Sequence, residues 1–206
     1  MILHGYWRSG TSYRTRIALN LKGLTYDQRP VDLRTGDQRS GAYLALNPQG
    51  LVPALEVDGQ VLTQSPAILE WLEERYPQPP LLPPDLGDRA QVRAMAALVA
   101  CDIHPLNNLR VLKAVKALGG EANPWAESWI RPGFDALEAQ IEQSGDGWAF
   151  GGEPTLADCC LIPQVYSARR FDVDVSAWPR IAAIEARAAD HPAFRAAHPD
   201  NQPDAD

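Results

Sequence analysis

The chain has 206 residues, enough for one large domain or for two small ones that each bury a hydrophobic core. Hydrophobic residues make up 45% and charged residues 22%, a balance typical of globular proteins and not of disordered or membrane chains. The net charge of −7 provides no overall positive field, which argues against binding to nucleic acid or to anionic lipid.

Cysteine usage and the first residues of the chain predict a cytoplasmic protein. No run approaches the roughly 20 apolar residues of a membrane span, and the start lacks the charged and then apolar pattern of a signal peptide. The cysteines Cys101, Cys159 and Cys160 form an odd set with two of them adjacent, which fits reduced thiols in a reducing compartment.

Strands and helices alternate in the first part of the sequence. Strands are predicted at 2–6, at 25–33 and on either side of Asp58-Gly59, and helices at 12–21, 40–46 and 67–75. The first two strands are predicted to be parallel because the connection between them is long, and Ser65 is predicted to cap the last helix with Pro66 at its first position. This βαβ-ββα order predicts an α/β domain of residues 1–80.

A proline-rich linker at 76–88 separates this domain from a purely helical one. Helices are predicted at 89–117, 125–143, 156–171 and 178–189, which gives an all-α domain of residues 88–200. Thr155 and Asp158 have the spacing of a capping box, so we assign them to folding and not to catalysis. The polar tail from Asn201 onward is predicted to be frayed.

The loop Arg8–Arg14 joins the first strand to a helix start, where free amides and the helix dipole favour an anion. Taken alone, the loop is more typical of a simple helix cap than of a binding site. In βαββα folds of the thioredoxin type, however, a redox Cys-x-x-Cys occupies this place, and here the four residues are Ser9-Gly10-Thr11-Ser12. The sequence therefore predicts a site that stabilises a thiolate supplied by a thiol cofactor.

Two further elements of the same domain fit a short anionic peptide. Val52-Pro53 stands at the head of a strand and is compatible either with a cis bond that turns the Val52 backbone toward a peptide ligand or with an ordinary strand-entry proline. Gln64-Ser65 precedes a second helix, where a hydroxyl and an amide can hold an α-amino-acid carboxylate.

Four runs of this sequence resemble the zeta-class glutathione transferases, and the resemblance extends over nearly the whole chain. The runs are RSGTSYRTRIAL from Arg8, NPQGLVPAL from Asn47, QSPAILEWLEE from Gln64 and DIHPLNNLR from Asp102. The class includes maleylacetoacetate isomerase and maleylpyruvate isomerase. The implied fold is a thioredoxin-like, glutathione-binding domain followed by an all-helical substrate-binding domain, the implied cofactor is glutathione, and the implied assembly is a homodimer.

By matching position, the resemblance implies a set of glutathione contacts spread over both domains. They are Ser9, Gly10, Thr11, Gln38, Val52, Pro53, Gln64, Ser65, His104 and Asn108. The usual Ser-Ser-Cys of the class is Ser9-Gly10-Thr11 here, so a hydroxyl replaces a cysteine, and which hydroxyl faces the sulfur is left open. No second histidine or carboxylate stands at metal spacing from His104, so no metal is expected.

The implied activity is the glutathione-dependent cis–trans isomerisation of a maleyl diacid, first of all maleylacetoacetate to fumarylacetoacetate in aromatic amino-acid degradation. Ser9 and Thr11 would stabilise the thiolate, and Arg8, Arg110 and Arg170 would hold the carboxylates of the substrate. Arg14 and Arg16 are assigned to surface solvation. The alternatives are a maleylpyruvate isomerase, a general glutathione transferase, and a non-catalytic interaction domain on the same fold.

Overall fold

The computed structural model describes residues 1–205, and the chain divides into two compact units. The first unit consists of Met1–Pro79 together with the chain from His191 onward, and the second is Pro80–Asp190. The second unit therefore begins and ends earlier than the expected helical domain of residues 88–200, because the last residues of that range pack with the first unit.

The first unit contains a sheet of four short strands. Its elements are β1 (Ile2–Gly5), α1 (Gly10–Leu21), β2 (Asp27–Pro30), α2 (Gly41–Leu46), β3 (Ala54–Val57), β4 (Gln60–Thr63) and α3 (Ser65–Arg75). The strand order is β2-β1-β3-β4, with β1 parallel to β2 and antiparallel to β3, and with β3 antiparallel to β4. The predicted βαβ-ββα order and the parallel pairing of the first two strands are confirmed.

Turn residues fix the ends of these elements. Asp58 and Gly59 have φ angles of 50° and 77°, and a tight hairpin with both central φ angles positive matches the twist of the strands it joins. Gly23, with φ of 67°, ends α1 as predicted, and its amide donates to the Asn20 carbonyl at 3.0 Å. Leu3, Leu55 and Ile68 are each at most 1% exposed and place the core between the sheet and its helices.

The second unit is helical. Its α-helices are α4 (Leu86–Ala97), α5 (Leu109–Ala117), α6 (Ala122–Ser144), α7 (Leu156–Arg170) and α8 (Pro179–Asp190). Its core contains Val92, Ile130 and Phe134, and the Phe134 ring meets Trp178 edge to face at 5.2 Å. No helix within residues 1–205 is long and apolar enough to cross a membrane.

The predicted continuous helix at 89–117 is wrong. After α4 the chain passes through a π-helical turn at Leu98–Ile103 and a 3₁₀ turn at His104–Asn107, and α5 begins afresh with Asn108 as its cap. Pro105 explains the break, since proline has no amide hydrogen and its ring clashes with the preceding helical turn.

A last helix, α9 (Pro192–Ala197), follows α8 and packs on α1 in the first unit. The prediction of a frayed tail is wrong for residues 201–205, and Asp206 lies outside the described residues. Gln202 is buried and its amide donates to the Ala196 and His198 carbonyls, while Asp204 Oδ2 accepts the Trp7 amide at 3.0 Å. These hydrogen bonds tie the polar residues of the tail to the domain that carries the sheet.

Candidate functional site

The register of the sheet brings the three candidate segments of the first unit to one edge of the sheet, the edge at which β1 and β4 end and β3 begins. Ala54 pairs with His4 near the end of β1 and with Thr63 at the end of β4. The loop after β1, the chain entering β3 and the start of α3 therefore leave the sheet on the same side. This is the arrangement that the order of elements predicts for Ser9, Val52 and Ser65.

Ser9 caps α1, so the helix begins two residues before its predicted start. Its backbone is extended (φ −71°, ψ 122°) and its Oγ accepts the Ser12 amide at 3.3 Å. The next residues, Gly10–Tyr13, include no acidic side chain, so the positive end of the helix is not neutralised by an anion of its own first turn. The start of α1 is thus suited to an external anion.

The hydroxyl hydrogen bonds at the start of α1 run from Ser9 to Thr11 and from Thr11 to the Val52 carbonyl. Thr11 Oγ1 donates to the Val52 carbonyl at 2.9 Å, and this uses the only proton that a threonine hydroxyl carries. The 2.9 Å contact between Ser9 Oγ and Thr11 Oγ1 must therefore be donated by Ser9. Ser9 can turn its proton to a ligand without breaking the Thr11–Val52 bond, so the geometry favours Ser9 as the donor to a sulfur anion.

The chain entering β3 is held firmly beside this hydroxyl pair. The Val52–Pro53 peptide bond is cis. One residue earlier, the Leu51 carbonyl accepts hydrogen bonds from the Tyr43 hydroxyl and from the Asn47 amide, both at 2.7 Å. These bonds fix the peptide groups on which a ligand backbone would pair.

The start of α3 differs from the prediction, because Gln64 and not Ser65 is the capping residue. Gln64 has φ of 66°, and its side-chain amide donates to Gln49 at 2.6 Å. Ser65 is the first helical residue and is 2% exposed, and its Oγ has no hydrogen-bond partner among residues 1–205. A buried hydroxyl without a partner is costly, which is consistent with a ligand group completing it.

Gln38 lies in a 3₁₀ turn, Asp37–Arg39, that contacts the same region. A side chain on Gly50, which has φ of 63°, would come within 3.0 Å of the Gln38 carbonyl, so the two backbones approach closely. Within the described residues, Gln38 Oε1 is buried without a hydrogen-bond partner. Among the described residues, Gln38 and Ser65 thus each have a buried polar side-chain atom without a hydrogen-bond partner.

Comparisons with known proteins identify the family. The family models described as glutathione S-transferase, N-terminal domain, and glutathione S-transferase, C-terminal domain, match residues 8–75 and 125–198. A solved holo structure of a maleyl pyruvate isomerase, described as a bacterial zeta-class glutathione S-transferase, is 52% identical, with a TM-score of 0.98 over 100% of both chains. This chain belongs to the zeta class of glutathione S-transferases. The family and the two-part transferase fold predicted from the sequence are confirmed.

Other relatives of this transferase have similar names. The maleylacetoacetate isomerase of Pseudomonas aeruginosa is 55% identical over 99% of this chain and 98% of that protein. The maleylacetoacetate isomerase of Anaeromyxobacter dehalogenans, 45% identical, is solved with glutathione in its active site (TM-score 0.91, covering 100% of this chain and 97% of that one). It is also solved with dicarboxyethyl glutathione and citrate there (TM-score 0.89, covering 99% and 96%).

The arginines considered in the first unit differ in burial, since Arg8 is half-buried and Arg14 and Arg16 are buried. Arg8 is half-buried beside Ser9, and its guanidinium stacks over the Trp7 ring at 5.1 Å from the centroid. The assignment of Arg14 and Arg16 to surface solvation is wrong, since they are 2% and 1% exposed. Arg16 faces the interior of the first unit, where its guanidinium donates to backbone carbonyls.

The remaining candidates belong to the second unit. His104 and Asn108 are half-buried, and Asn108 Oδ1 accepts the Val111 amide at 3.2 Å as the cap of α5. Arg110 at the start of α5 and Arg170 at the end of α7 are exposed. The Asn108 cap is a structural role that the sequence pattern did not predict.

Several residues that shape the site escaped the sequence interpretation. Ser12 is fully buried, its Oγ accepts the Tyr6 amide at 3.4 Å, and a side chain on Gly5 would come within 2.9 Å of it. Tyr43 and Asn47 hold the chain before Val52. Gly5 at the end of β1 was a usable sequence signal for close packing. Nothing in the sequence indicated that Tyr43 would bond the chain before Val52.

Proposed function

We propose that this transferase is a glutathione-dependent cis–trans isomerase of a maleyl diacid, with maleylacetoacetate as the first candidate substrate and fumarylacetoacetate as its product. The observation that carries the proposal is the hydroxyl pair at the start of α1, where Ser9 can donate to a sulfur anion while Thr11 stays bonded to Val52. Relatives named as maleylacetoacetate and maleylpyruvate isomerases, including one solved with dicarboxyethyl glutathione, support the substrate class.

Glutathione would bind along the edge where the three segments meet. Its thiol would lie at Ser9, Gly10 and Thr11, and its peptide backbone would pair with Val52 next to Pro53. Its γ-glutamyl carboxylate would lie at Gln64 and Ser65, whose unused hydroxyl is a suitable donor. Gln38, His104 and Asn108 complete the proposed contacts.

The energies involved are sufficient to ionise the thiol without a general base. A free thiol has a pKa of about 8.5, and lowering it by two units requires about 2.7 kcal/mol. A hydrogen bond to a charged acceptor contributes about 1.5–3 kcal/mol. The start of α1 adds about 0.3–1 kcal/mol.

The isomerisation needs an adduct in which the double bond has become single. The glutathione sulfur forms a bond to one carbon of the cis double bond, and the π electrons move onto the adjacent carbonyl as an enolate. Rotation about the new single bond is followed by cleavage of the carbon–sulfur bond, which returns the trans diacid and the thiolate. Arg8, with Arg110 and Arg170, would bind the carboxylates and oppose the enolate charge.

Three other functions are alternatives on the same fold. A maleylpyruvate isomerase or a general glutathione transferase needs the same thiolate and differs only in the second substrate. A non-catalytic interaction domain on this fold has no need of the hydroxyls, and their presence at Ser9, Thr11 and Ser65 argues against it. A homodimer, a cytoplasmic location and a place in aromatic amino-acid degradation belong to the proposal as well.

The direct test is to follow loss of each cis isomer, maleylacetoacetate and maleylpyruvate, with purified protein and glutathione. Ser9→Ala is expected to lower kcat/KM about tenfold to 100-fold, because it removes a hydrogen bond to the thiolate. The matched control is Ser40→Ala, since Ser40 caps α2 in the same way, with its Oγ accepting the Tyr43 amide, and is exposed. Absence of isomerisation of either diacid by the wild type, or unchanged activity of Ser9→Ala, would contradict the proposal.

A further inference from the structure

The backbone turn that precedes Ser9 is fixed by residues outside the turn, which form hydrogen bonds with the amide and the carbonyl of Trp7. The Ser9 amide donates to the Tyr6 carbonyl at 3.0 Å, which places Trp7 and Arg8 inside a four-residue turn. The Trp7 amide donates to Asp204 Oδ2 at 3.0 Å, and the Trp7 carbonyl accepts from Arg16 Nη2 at 2.8 Å. The turn is therefore fixed by partners beyond its own residues.

Arg16 connects this turn to α9. Its Nε donates to the Ala197 carbonyl at 2.9 Å, while its guanidinium lies 5.4 Å from the centroid of the Tyr13 ring. The residue is 1% exposed, so both carbonyl contacts are made out of water, where a guanidinium cannot exchange a lost partner for solvent. One buried cation thus joins the end of α9 to the turn before Ser9.

The chain after α8 is itself anchored along its length. Asn20 donates to the Ala193 carbonyl at 3.0 Å, and the Gln202 side chain donates to the Ala196 and His198 carbonyls at 2.9 and 2.6 Å. Gln28 on β2 in turn donates to Gln202 Oε1 at 2.7 Å. Asp204 follows two residues later, so its carboxylate reaches Trp7 from a fixed segment.

We infer that residues 191–205 form a positioning element for the thiol-activating loop, and that Asp204 is the positioning residue through which they hold Trp7 and hence Ser9. The inference rests on the proposed function, because Ser9 needs a fixed position only if its hydroxyl serves a thiolate. Hydrogen bonds weaken steeply with misalignment, so freedom in the turn would reduce the donation from Ser9 to the sulfur. Because the Asp204 carboxylate acts through the Trp7 amide, we assign it a positioning role and not a catalytic one.

Loss of charge and loss of position have opposite effects on the glutathione thiol. Removing a nearby carboxylate would lower the pKa of a bound thiol by reducing like-charge repulsion. Removing the hold on Trp7 would raise that pKa, because the thiolate would lose its aligned donor. Asp204→Ala removes both the charge and the acceptor, whereas Asp204→Asn keeps an acceptor oxygen of the same size without the charge.

The experiment compares Asp204→Ala, Asp204→Asn and Asp200→Ala in the full chain. Asp200 is the matched control because it lies in the same segment with its side chain 69% exposed and points at His198. Hydrogen exchange of the Trp7 amide is measured without glutathione. The pKa of bound glutathione is then measured by thiolate absorbance, together with the pH profile of kcat/KM.

We expect faster Trp7 exchange in Asp204→Ala, a thiol pKa raised by about half a unit to one unit, and kcat/KM at pH 7 lowered about 1.5-fold to threefold through the smaller thiolate fraction. Trp7 exchange in Asp204→Asn should fall between that of wild type and that of Asp204→Ala, because a neutral amide oxygen accepts more weakly than a carboxylate. Its thiol pKa should lie below that of Asp204→Ala, because it loses the charge but keeps an acceptor for Trp7. The exchange of Asp204→Asn still tests the inference if Asp204→Ala does not fold. A thiol pKa that is unchanged or lowered in Asp204→Ala would overturn the inference, as would Trp7 exchange equal to that of Asp200→Ala in every Asp204 variant that folds. A wild type that binds glutathione without ionising it would overturn the proposed function instead, while the exchange result still decides whether Asp204 holds the turn.

Discussion

Helices α1 and α7 begin with the same kind of residue and use it in opposite ways. At α7, Thr155 is the cap, and the Asp158 carboxylate accepts the Thr155 amide and hydroxyl and the Ala149 amide at 2.8–3.1 Å. Asp158 is 0% exposed. At α1, Ser9 is the cap, the first turn contains no carboxylate, and Ser9, Gly10 and Thr11 are only half-buried.

An anion is favoured at both helix starts, and the source of that anion decides whether the start serves folding or binding. In α7 the chain supplies the anion itself, so the capping box closes the site and serves folding. In α1 the anion must come from a ligand, which is what the glutathione thiolate would be. The start of α3 resembles α1, because Ser65 also presents a hydroxyl without an acidic neighbour in the first turn.

The largest effect is expected at the start of α7, where the chain itself supplies the anion as the Asp158 carboxylate. Asp158→Ala would leave the buried Ala149 and Thr155 amides without an acceptor, and each such loss costs about 1–3 kcal/mol. We therefore expect the free energy of unfolding to fall by about 4 kcal/mol, measured with denaturant. The activity of each folded molecule should stay unchanged, and a selective loss of kcat would contradict the purely structural role.

The pH dependence of this loss is a second check on Asp158. Burial raises the pKa of its carboxyl to about 6, although the hydrogen bonds from Ala149 and Thr155 lower it in part. The folded state then binds the proton more tightly than the unfolded chain, so the stability that Asp158 contributes is greatest below about pH 4 and declines as the pH rises to about 6. A difference between wild type and Asp158→Ala that grows over this interval would contradict the expected direction.

The next effect tests whether α1 stays open for a ligand. Thr11→Asp would put a carboxylate into the first turn of α1, next to the proposed sulfur position. Like-charge repulsion at close range should raise the pKa of bound glutathione by about two units and lower kcat/KM at pH 7 about 25-fold through the smaller thiolate fraction. Thr11→Asn is the matched control, as it has the same shape without the charge. Equal thiol pKa values in the two variants would show that the thiolate does not lie at this helix start.

The sequence predicted the helix starts that contain no carboxylate of their own, at α1 and α3, better than it predicted the tertiary contacts that fix the loop before α1. Ser9, Val52 and Ser65 follow from local signals, because alternating elements and the Asp58-Gly59 turn determine which loops share an edge of the sheet. The burial of Arg16 and the contact of Asp204 with Trp7 depend on residues far apart, 197 positions in the second case. No periodicity in either segment encodes such a pairing, so the sequence predicts a solvated arginine and a frayed tail.

The smallest effect concerns α3, where a substitution should strengthen the fold and weaken binding. Ser65 Oγ is buried without a hydrogen-bond partner among residues 1–205, so Ser65→Ala removes an uncompensated hydroxyl and should raise the free energy of unfolding by up to about 1 kcal/mol. The same change should weaken glutathione binding about tenfold through loss of one hydrogen bond to a carboxylate.

Thermal unfolding and calorimetric titration with glutathione measure the two effects of Ser65→Ala separately. Ser144→Ala is a suitable control, because the Ser144 hydroxyl is satisfied by the Gln140 carbonyl at 2.9 Å. That control should lose a little stability and keep its affinity for glutathione. If Ser65→Ala lost stability as well and bound glutathione as tightly as the wild type, the start of α3 would be a structural cap like α7, and α1 would be the one open helix start of the proposed site.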